Sequence, residues 1–375
     1  MNLLLLDQFS EPGGAQLALL ELLPAIREAG WRALVGMPGD GDLFEGVSGL
    51  GFETARIRCG PYASARKTLS DAGRFVTEMP RLARQINQLA RRVQADLVYV
   101  NGPRLLPAMA LAGLKVPVLF HSHSFVGQGI VRAVAGRALR KMGAAVIANC
   151  EAVASQWRSF VDDARVSVIY NGVAGPSTFT PRERGPTAHI GCIGRISPEK
   201  GQLEFVRAAG EIVRAMPACQ FTVYGAALFG NAAGERYAGG VRAAAHGLPI
   251  EFAGWTNNIQ AALAKLDVLL VPSVGHEATT RVILEAFAVG LPVIAFDTGG
   301  IKEVIEHGRT GYLAHSVVEM SKQTVGLLSD KEKWTAMSSA ARAAWKERFT
   351  QQNYHQQVIA RLERAAVRLR TAVAS

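Results

Sequence analysis

The residues best suited to chemistry lie in the stretch 275–295, GHEATTRVILEAFAVGLPVIA. Glu277 and Glu285 are eight positions apart there, and Thr279 or Thr280 can cap a helix that begins between them. Eight residues on a helix span about 12 Å, whereas paired glycosidase carboxyl groups lie about 5–9.5 Å apart. An acid/base pair is therefore disfavoured. We expect the two carboxylates to hold two ends of one long ligand, with a phosphate at the helix N-terminus between them.

Two solvated surface glutamates are the competing interpretation of this stretch. That interpretation is weakened because the sequence after Glu285, AFAVGLPVIAF, is strongly apolar and is expected to be buried. Carboxylates that take hydroxyl groups on either side of a phosphate suit a nucleotide sugar, which offers ribose, diphosphate and hexose in that order.

A second candidate is IGRISPEKGQLEFVRAA at 193–209, where Arg195 and Lys200 lie between the end of a strand and the start of a helix. Arg can bind a phosphate through two hydrogen bonds, and Lys adds a point charge. The stretch has neither GxxxxGK[ST] nor GxGxxG, so ATP hydrolysis and nicotinamide chemistry are disfavoured. Two surface cations that cap a loop are an equally supported alternative.

Two further candidates follow apolar strands in the first half of the chain. In FSEPGGAQ at 9–16, Gly13 and Gly14 open a helix and would let the backbone approach a ligand, although a plain turn explains them equally well. In FHSHSF at 120–125, His121 and His123 fall on one face of an extended chain. Because no nearby Cys, Asp or Glu completes a ligand set, we expect no metal there. A structural role remains the alternative for one or both histidines.

Composition narrows the class of protein. The 375 residues suggest two domains, and a net charge of +10 suits a protein that handles phosphates or visits an anionic surface. No basic run is interleaved with aromatic residues, so nucleic acid is not an expected partner. The four cysteines form no CxxC pair, and Cys150 and Cys192 are expected to be buried thiols in a reducing cytoplasm. We expect no signal peptide and no membrane-spanning helix.

Short apolar runs alternate with helical patterns along the chain, which is typical of doubly wound α/β domains. The pattern breaks at 173–187, VAGPSTFTPRERGPT, and then resumes. We therefore expect two tandem Rossmann-like domains that face each other across a cleft. The predicted parts are an N-terminal domain 1–172, a linker 173–187, a C-terminal domain 188–345, and a helical segment 346–375 that packs back toward the N-terminal domain.

Taken together, the motifs resemble the retaining glycosyltransferases of the GT-B fold, family four. The resemblance rests on PGGAQ, GRISPEKG, the EX7E stretch EATTRVILEAFAVGLPVIA, TGGIKEVIEHGRTGYL, IANCEAVASQW and VIYNGV. It implies transfer of a hexose from a nucleoside diphosphate sugar to a saccharide or lipid-linked acceptor, with retention of anomeric configuration. It also implies no metal and no cofactor, and a UDP-sugar rather than a GDP-sugar as donor. The compactness of the chain suggests a role in cell-envelope or exopolysaccharide synthesis.

The resemblance also implies roles for individual residues. Arg195 and Lys200 would hold the donor diphosphate, the first domain would handle the acceptor, and His121 would lie by the donor sugar, with His123 as the competing assignment. The remaining implied donor-site residues are Glu285 on the ribose, Glu277 on the transferred sugar, and Gly13, Gly14, Thr279, Thr280 and Arg281 around them. Many members have EGFG or ESFG where this chain has EATTR, which puts the donor sugar in doubt more than the reaction.

Three alternatives stay open at this point. A sugar-nucleotide epimerase of the same fold would use a similar cleft, and a non-enzymatic basic binding protein would explain the charge. The basic stretches 81–94 and 131–143 could rest on an anionic bilayer at the inner face of the cell membrane or present a solvated helix face. The solvated face is favoured for 81–94, and the two interpretations are level for 131–143.

Overall fold

The chain folds into two α/β units, each built on one parallel sheet. The computed structural model describes residues 1–11, 13–60, 69–127, 129–227, 232–275 and 277–373, with the side chains at 69–72, 232 and 368–373 left aside. Pro12 and His276, which belong to two of the motifs above, therefore lie outside the described residues. One unit comprises 1–170 together with 354–375, and the other comprises 171–353.

The sheet of the first unit has seven described strands in the order β3-β2-β1-β4-β5-β6-β7, all paired in parallel. The strand order reverses between β1 and β4, and the carboxyl edge at such a point is where open α/β sheets bind ligands. The strands are β1 (Asn2–Asp7), β2 (Arg32–Met37), β3 (Glu53–Arg56), β4 (Leu97–Asn101), β5 (Val118–Ser122), β6 (Ala145–Ala148) and β7 (Val166–Val168).

The sheet of the second unit has six described strands in the order β10-β9-β8-β11-β12-β13, again all parallel. Its order reverses between β8 and β11. The strands are β8 (His189–Ile193), β9 (Gln220–Tyr224), β10 (Ile250–Gly254), β11 (Val268–Val271), β12 (Val293–Phe296) and β13 (Gly311–Ala314). Residues 174–188, between the two sheets along the chain, contain neither helix nor strand.

Helices connect the strands on both faces of each sheet. They are α1 (Gly14–Glu28), α2 (Asp42–Gly49), α3 (Leu69–Arg92), α4 (Leu106–Ala112), α5 (Ile130–Met142), α6 (Glu151–Ser155), α7 (Gln202–Ala215), α8 (Ala232–Ala244), α9 (Ile259–Ala264), α10 (Arg281–Ala288), α11 (Val317–Ser329), α12 (Lys331–Arg348) and α13 (Gln351–Val373).

Each sheet is buried on both faces, which is why its strands are apolar throughout. In the first unit, Ile86 of α3, Met109 of α4 and Leu139 of α5 pack on one face of the sheet. Leu22 of α1 and Val358 of α13 pack on the other face. In the second unit, the sheet packs against side chains from α7, α11 and α12, among them Phe205, Met320 and Trp334.

The predicted alternation of strands and helices is confirmed, including a first helix at Gly14 and helices after the last strand. β2 and β3 are additional strands that the apolar runs did not mark. β3 has the sequence ETAR and none of its residues is buried, because it lies at the edge of the sheet. Its polar sequence carries no buried-strand pattern.

The two basic stretches of the first unit both lie on helices. In α3, Leu82 and Ile86 face the core while Arg81, Arg84 and Arg91 are exposed. The exposed cationic face of this helix fits both interpretations of 81–94, so the preference for a solvated face stays a prediction.

Candidate active site

The loop after β8 carries the two predicted cations of the second unit. Nη2 of Arg195 lies 2.5 Å from Oε1 of Glu199. The buried side chain of Gln202, the first residue of α7, fixes the loop backbone: its Nε2 donates to the carbonyl of Arg195 at 2.8 Å, and its Oε1 accepts from the N–H of Ser197 at 3.2 Å. The loop is thus held by the helix that it opens.

The end of this loop also touches the neighbouring strand. Gly201 has φ +70°, and a Cβ there would lie 1.8 Å from the carbonyl oxygen of Pro272, just after β11. The N–H of Val274 donates to the carbonyl of Glu199 at 3.0 Å. Only glycine permits this close approach, which fixes the loop after β8 against the chain that leaves β11.

Lys200 and Glu277 meet at that contact. Nζ of Lys200 lies 2.8 Å from Oε2 of Glu277, and both side chains are mostly shielded, at 24% and 17% exposure. The backbone of Glu277 is fixed from a third loop, because its carbonyl accepts from the N–H of Gly300 at 3.0 Å. The two residues predicted to bind diphosphate and sugar are therefore neighbours, at the point where the strand order of the second sheet reverses.

The Glu199 carboxylate is part of the same charged loop. Burial works toward a higher pKa, but the hydrogen bonds that its carboxylate accepts, among them the one from Arg195, outweigh burial, and the pKa of Glu199 lies below its ordinary value. Glu199 is therefore ionised at neutral pH and partly offsets the charge of Arg195.

The predicted helix start after Glu277 is confirmed with two corrections. α10 begins at Arg281, and Thr280 occupies its N-cap position, but the Thr280 side chain makes no capping hydrogen bond. The prediction of a threonine cap is wrong on that point. Glu277 lies four residues before the helix, so the 12 Å estimate, which assumed both glutamates on the helix, does not apply.

Glu285 lies within α10, and the apolar segment after it is buried as predicted. Its Oε1 is 3.7 Å from Nε of Arg281, one helical turn earlier, and the two side chains are only 18% and 15% exposed. Thr279, two residues before the helix, is buried at 6% exposure. The interpretation of Glu285 as a solvated surface residue is thereby wrong.

In the first unit, Gly13 and Gly14 open α1 as predicted. Gly13 is its N-cap and has an extended backbone, so a left-handed conformation is not the reason for glycine here. A Cβ at Gly13 would lie 2.9 Å from Oε1 of Gln16, and the absence of a side chain keeps the backbone accessible at this helix start.

A buried carboxylate beneath this helix start escaped the sequence analysis. Asp7, the last residue of β1, is fully buried. It accepts hydrogen bonds from the N–H of Phe9 at 2.8 Å, from Nε2 of Gln16 at 2.9 Å and from Nδ2 of Asn101 at 2.5 Å. Nδ2 of Asn101 also donates to the carbonyl of Ala15 at 3.1 Å, which ties the end of β4 to α1.

Burial decides the charge of this carboxyl group. It raises the pKa of Asp7 to about 7, against the hydrogen bonds from Phe9, Gln16 and Asn101 that lower it. A group that exchanges its proton near neutral pH therefore lies under Gly13 and Gly14.

His121 and His123 lie on one face of the extended chain at β5, as their spacing predicts. Their rings stack with centroids 3.8 Å apart. His121 is 1% exposed, and the Tyr99 hydroxyl lies 2.6 Å from its Nδ1. Burial, and then the neighbouring His123, hold the pKa of His121 well below its ordinary value. His121 is therefore a neutral imidazole at neutral pH.

The described residues present neither a metal site nor a membrane-spanning helix. Among the residues that the structure describes, no group of three or more His, Cys, Asp or Glu side chains could hold a metal ion. None of the helices, as far as they are described, combines the length and apolar character needed to cross a bilayer.

The two halves of the chain match two family models. Residues 12–174 match Glycosyltransferase Family 4, and residues 187–330 match Glycosyl transferases group 1. The chain belongs to this glycosyltransferase family. The matches include Gly13 and His121 in the first model and Arg195, Glu277 and Glu285 in the second.

Curated relatives of this glycosyltransferase match it in part. N-acetyl-alpha-D-glucosaminyl L-malate synthase of Bacillus anthracis is 39% identical over 100 residues, 26% of either chain. A GDP-mannose-dependent alpha-(1-6)-phosphatidylinositol monomannoside mannosyltransferase of Mycobacterium tuberculosis is 31% identical over 172 residues, 42% of this chain and 43% of that one. The matched segments thus span about a quarter to two fifths of these relatives.

Solved structures match the glycosyltransferase over nearly its whole length. Anabaena HepE, solved in complex with UDP, has a TM-score of 0.82 and 25% sequence identity, with 97% of this chain and 100% of that one covered. The same protein in complex with UDP-glucose has a TM-score of 0.80. The predicted GT-B architecture of two Rossmann-like domains is confirmed by this likeness.

Proposed function

We propose that this glycosyltransferase moves a hexose from a nucleoside diphosphate sugar to a saccharide or lipid-linked acceptor, with retention of anomeric configuration. The observation that carries the proposal is the ion pair of Lys200 and Glu277 at the reversal point of the second sheet, with Arg195 in the same loop as Lys200. Cations at that edge suit a diphosphate, and a partly shielded carboxylate suits sugar hydroxyl groups.

In this proposal Arg195 and Lys200 bind the diphosphate and stabilise the charge that grows on it as the glycosidic bond to the sugar breaks. Such charge stabilisation by positioned groups is a large contribution to catalysis. The buried Gln202 holds the Arg195 backbone in place, so the loop need not reorganise when the ligand binds. The cations supply the positive charge for the leaving group, so the proposal includes no metal ion and no cofactor.

Glu285 and Glu277 each bind a different part of the donor. Glu285 takes the ribose hydroxyl groups, and Glu277 takes hydroxyl groups of the transferred sugar once Lys200 turns to the diphosphate. Glu277 therefore has two partners, one after the other. It pairs with Lys200 in the free protein and with the sugar in the complex. Thr279, Thr280 and Arg281 lie between the two carboxylates along the chain and are assigned to the same donor site.

The first unit offers two candidate groups of its own. Gly13 and Gly14 offer backbone amides at the start of α1 to a phosphate. His121, rather than His123, is assigned to the donor sugar because it is the one in the strand, hydrogen-bonded to Tyr99 and neutral.

We further infer that the donor is a UDP-sugar rather than a GDP-sugar. The support is the full-length likeness to HepE, whose structures contain UDP and UDP-glucose. The partial match to a GDP-mannose-dependent enzyme is the strongest argument for the other base. The role in cell-envelope or exopolysaccharide synthesis is part of the same proposal.

A binding screen tests the proposed donor site. Thermal stabilisation is measured with UDP, GDP, UDP-glucose, UDP-N-acetylglucosamine and GDP-mannose, first for the wild type and then for Lys200→Ala and Glu285→Ala. Lys331→Ala, which removes an exposed lysine from the start of α12, is the matched control. We expect UDP-sugars to stabilise the wild type and Lys331→Ala but not the other two variants. Stabilisation by no nucleotide, or equally in all variants, would overturn the assignment.

A product analysis tests the reaction. The donor that binds is incubated with and without saccharide and lipid-linked acceptors, and the anomeric configuration of the product is read by NMR. A product with the donor's configuration supports the proposal. Conversion of the donor to its epimer without an acceptor would instead establish the epimerase.

A surface on α5 supports a peripheral contact with an anionic membrane. Its first turn exposes Ile130 at 83% and Val131 at 63%, and Val134 follows at 41%. Arg137 and Lys141 are exposed further along the helix, and no acidic residue lies in α5. Exposed apolar side chains next to cations suit the headgroup region of an anionic bilayer, such as the inner face of the cell membrane.

Vesicle sedimentation tests this contact. We expect the wild type to sediment with phosphatidylglycerol-containing vesicles and to remain in solution with pure phosphatidylcholine. The double variant Ile130→Ser/Val131→Ser should lose the binding, whereas Val318→Ser, at an apolar position of the second unit that is 53% exposed, should keep it. Equal sedimentation of all three proteins would rule out α5 as the contact.

A further inference from the structure

In the hydrogen bond between Tyr99 and His121, the donor and the acceptor can be assigned. Tyr99 lies in β4 and His121 in the adjacent β5, and the hydroxyl of Tyr99 is 2.6 Å from Nδ1 of His121. The two rings meet edge to face, with centroids 5.8 Å apart. Both side chains are buried, at 0% and 1% exposure, so water does not compete for the hydrogen bond.

The hydrogen in this bond belongs to Tyr99. Burial, followed by the charges of Tyr354 and Asp7, raises the pKa of the Tyr99 phenol well above its ordinary value, so the phenol keeps its proton. Within the described residues, Nδ1 of His121 is the one hydrogen-bond partner found for that hydroxyl. A buried O–H without an acceptor is costly, and therefore Tyr99 donates and Nδ1 accepts.

The acceptor role of Nδ1 determines the other ring nitrogen. A neutral imidazole carries one hydrogen, and if Nδ1 accepts then the hydrogen is on Nε2. Nε2 of His121 is buried and has no hydrogen-bond partner among the described residues. The ring therefore holds one unused N–H donor in a site shielded from water.

We propose that Tyr99 is a positioning residue that keeps His121 in the Nε2–H tautomer, so that His121 donates a hydrogen bond to a hydroxyl oxygen of the transferred sugar. The assignment of the sugar rests on the proposed function, whereas the tautomer does not. His121 then serves as a neutral hydrogen-bond donor and not as a general base, because Nδ1 is engaged and Nε2 already carries its hydrogen.

The tautomer can be observed in the free protein. Ring nitrogens are recorded by NMR in protein labelled with 15N-histidine, and His121→Gln identifies the His121 signals by their loss. We expect the wild type to show a protonated Nε2 and an unprotonated Nδ1 at neutral pH. Tyr99→Phe should move both signals toward the average of the two tautomers. If His121→Gln does not fold, the shift caused by Tyr99→Phe identifies the same signals.

Tyr354→Phe is the matched control, because the Tyr354 ring lies 6.3 Å from that of His121 and the change also removes one phenol hydroxyl. It should leave the His121 tautomer as in the wild type. A hydrogen on Nδ1 in the wild type, or a Tyr99→Phe spectrum that retains the wild-type tautomer, would overturn the proposal.

Kinetic measurements distinguish a positioning role of Tyr99 from a role in packing alone. We expect Tyr99→Phe to lower kcat/KM five- to tenfold, which is what one lost neutral hydrogen bond of about 1 kcal/mol or slightly more implies. The melting temperature should change little, since the ring remains. An unchanged kcat/KM with a changed tautomer would overturn the sugar contact, and failure of every donor to bind would overturn the proposed function while leaving the NMR result intact.

Discussion

Lys200 and Glu277 form an ion pair with 2.8 Å between Nζ and Oε2, although 77 positions separate them in the sequence. The pair joins the loop after β8 to the loop after β11. In the free protein, the lysine assigned to the diphosphate is thus already neutralised by the carboxylate assigned to the sugar. Binding of a nucleotide must compete with Glu277 for the ammonium group.

The first prediction follows from that competition. Glu277→Gln should bind UDP three- to tenfold more tightly than the wild type, because Lys200 is released to the diphosphate, a gain of about 0.7–1.4 kcal/mol. The same variant should transfer sugar at least tenfold more slowly, because the sugar loses its carboxylate partner. Isothermal titration with UDP and a transferase assay measure the two effects.

Glu211→Gln is the control for this prediction, since Glu211 pairs with Arg214 on α7 and the two side chains are 43% and 72% exposed. It should change neither value by more than about twofold, as exposed ion pairs contribute little. Weaker UDP binding by Glu277→Gln would contradict the competition.

The second prediction concerns Glu285 and ribose. The wild type should bind UDP at least tenfold more tightly than 2′,3′-dideoxy-UDP, because the analogue leaves the shielded carboxylate without its hydroxyl partners. Glu285→Ala should bind both ligands with similar weak affinity. Discrimination between the two nucleotides that survives in Glu285→Ala would place the ribose elsewhere.

The third prediction concerns Asp7 and pH. The pKa of Asp7 rises from 3.8 to about 7 on folding, so the folded protein holds this proton over a range in which the unfolded chain releases it. The stabilisation is complete below the unfolded pKa and is lost as the pH rises toward 7. Between pH 5 and pH 8 the loss is on the order of 3 kcal/mol.

Asp7→Asn should remove that pH dependence. The free energy of unfolding of the variant, relative to that of the wild type, should therefore be higher at pH 8 than at pH 5. Urea unfolding at several pH values measures the difference. Asp42→Asn, at an exposed position at the start of α2, should keep the wild-type slope. If the free energy of unfolding changed with pH in the same way for the wild type and Asp7→Asn, that result would contradict the raised pKa of Asp7.

The fourth prediction concerns two glycines with similar backbones. Gly299 and Gly308 have φ of +54° and +79°, but a Cβ at Gly299 would lie 1.7 Å from the carbonyl oxygen of Glu277, whereas none of the described atoms lies within 4 Å of one at Gly308. Gly308→Ala should therefore cost about 1 kcal/mol of stability from backbone strain alone. Gly299→Ala should cost at least about 3 kcal/mol, because backbone must move as well.

Nucleotide affinity distinguishes the two variants further. Gly299→Ala should weaken UDP-sugar binding, since it displaces the backbone of Glu277, and Gly308→Ala should not. Similar melting temperatures and affinities for the two variants would show that the loop after β12 does not fix Glu277.

Much of the architecture was predictable from the sequence, because parallel strands that are buried on both faces consist of consecutive apolar residues. LLLL at 3–6, LDVLLVPS at 266–273 and LPVIAF at 291–296 all mark real strands. β3 was not predictable in this way, since its partly exposed sequence ETAR resembles a loop. The prediction for the first helix succeeded because the glycines at its start and its apolar spacing agree.

The site was predictable as a set of residue types but not as a set of contacts. Arg195 and Lys200 stand between a strand and a helix, Glu277 in the loop before α10 and Glu285 within α10, and the chemistry of these side chains suffices to select them as candidates. That Lys200 pairs with Glu277 depends on β8 lying beside β11, which only the strand order reveals. Asp7 was missed for the same reason, because its partner Asn101 is the last residue of β4, 94 positions away.

The four cysteines have a practical consequence for spectroscopy. Cys59, Cys150, Cys192 and Cys219 are all buried, and burial raises the pKa of the Cys59 thiol to about 11 and that of Cys192 to about 12. Thiolate is the form that reacts with maleimides, so Cys59 and Cys192 will hardly react while the protein is folded, and burial shields the other two thiols from the reagent. Dyes or spin labels can therefore be attached to a single cysteine introduced on the surface of each unit, without first replacing the native ones, and distances between labels can then be followed as donor is added.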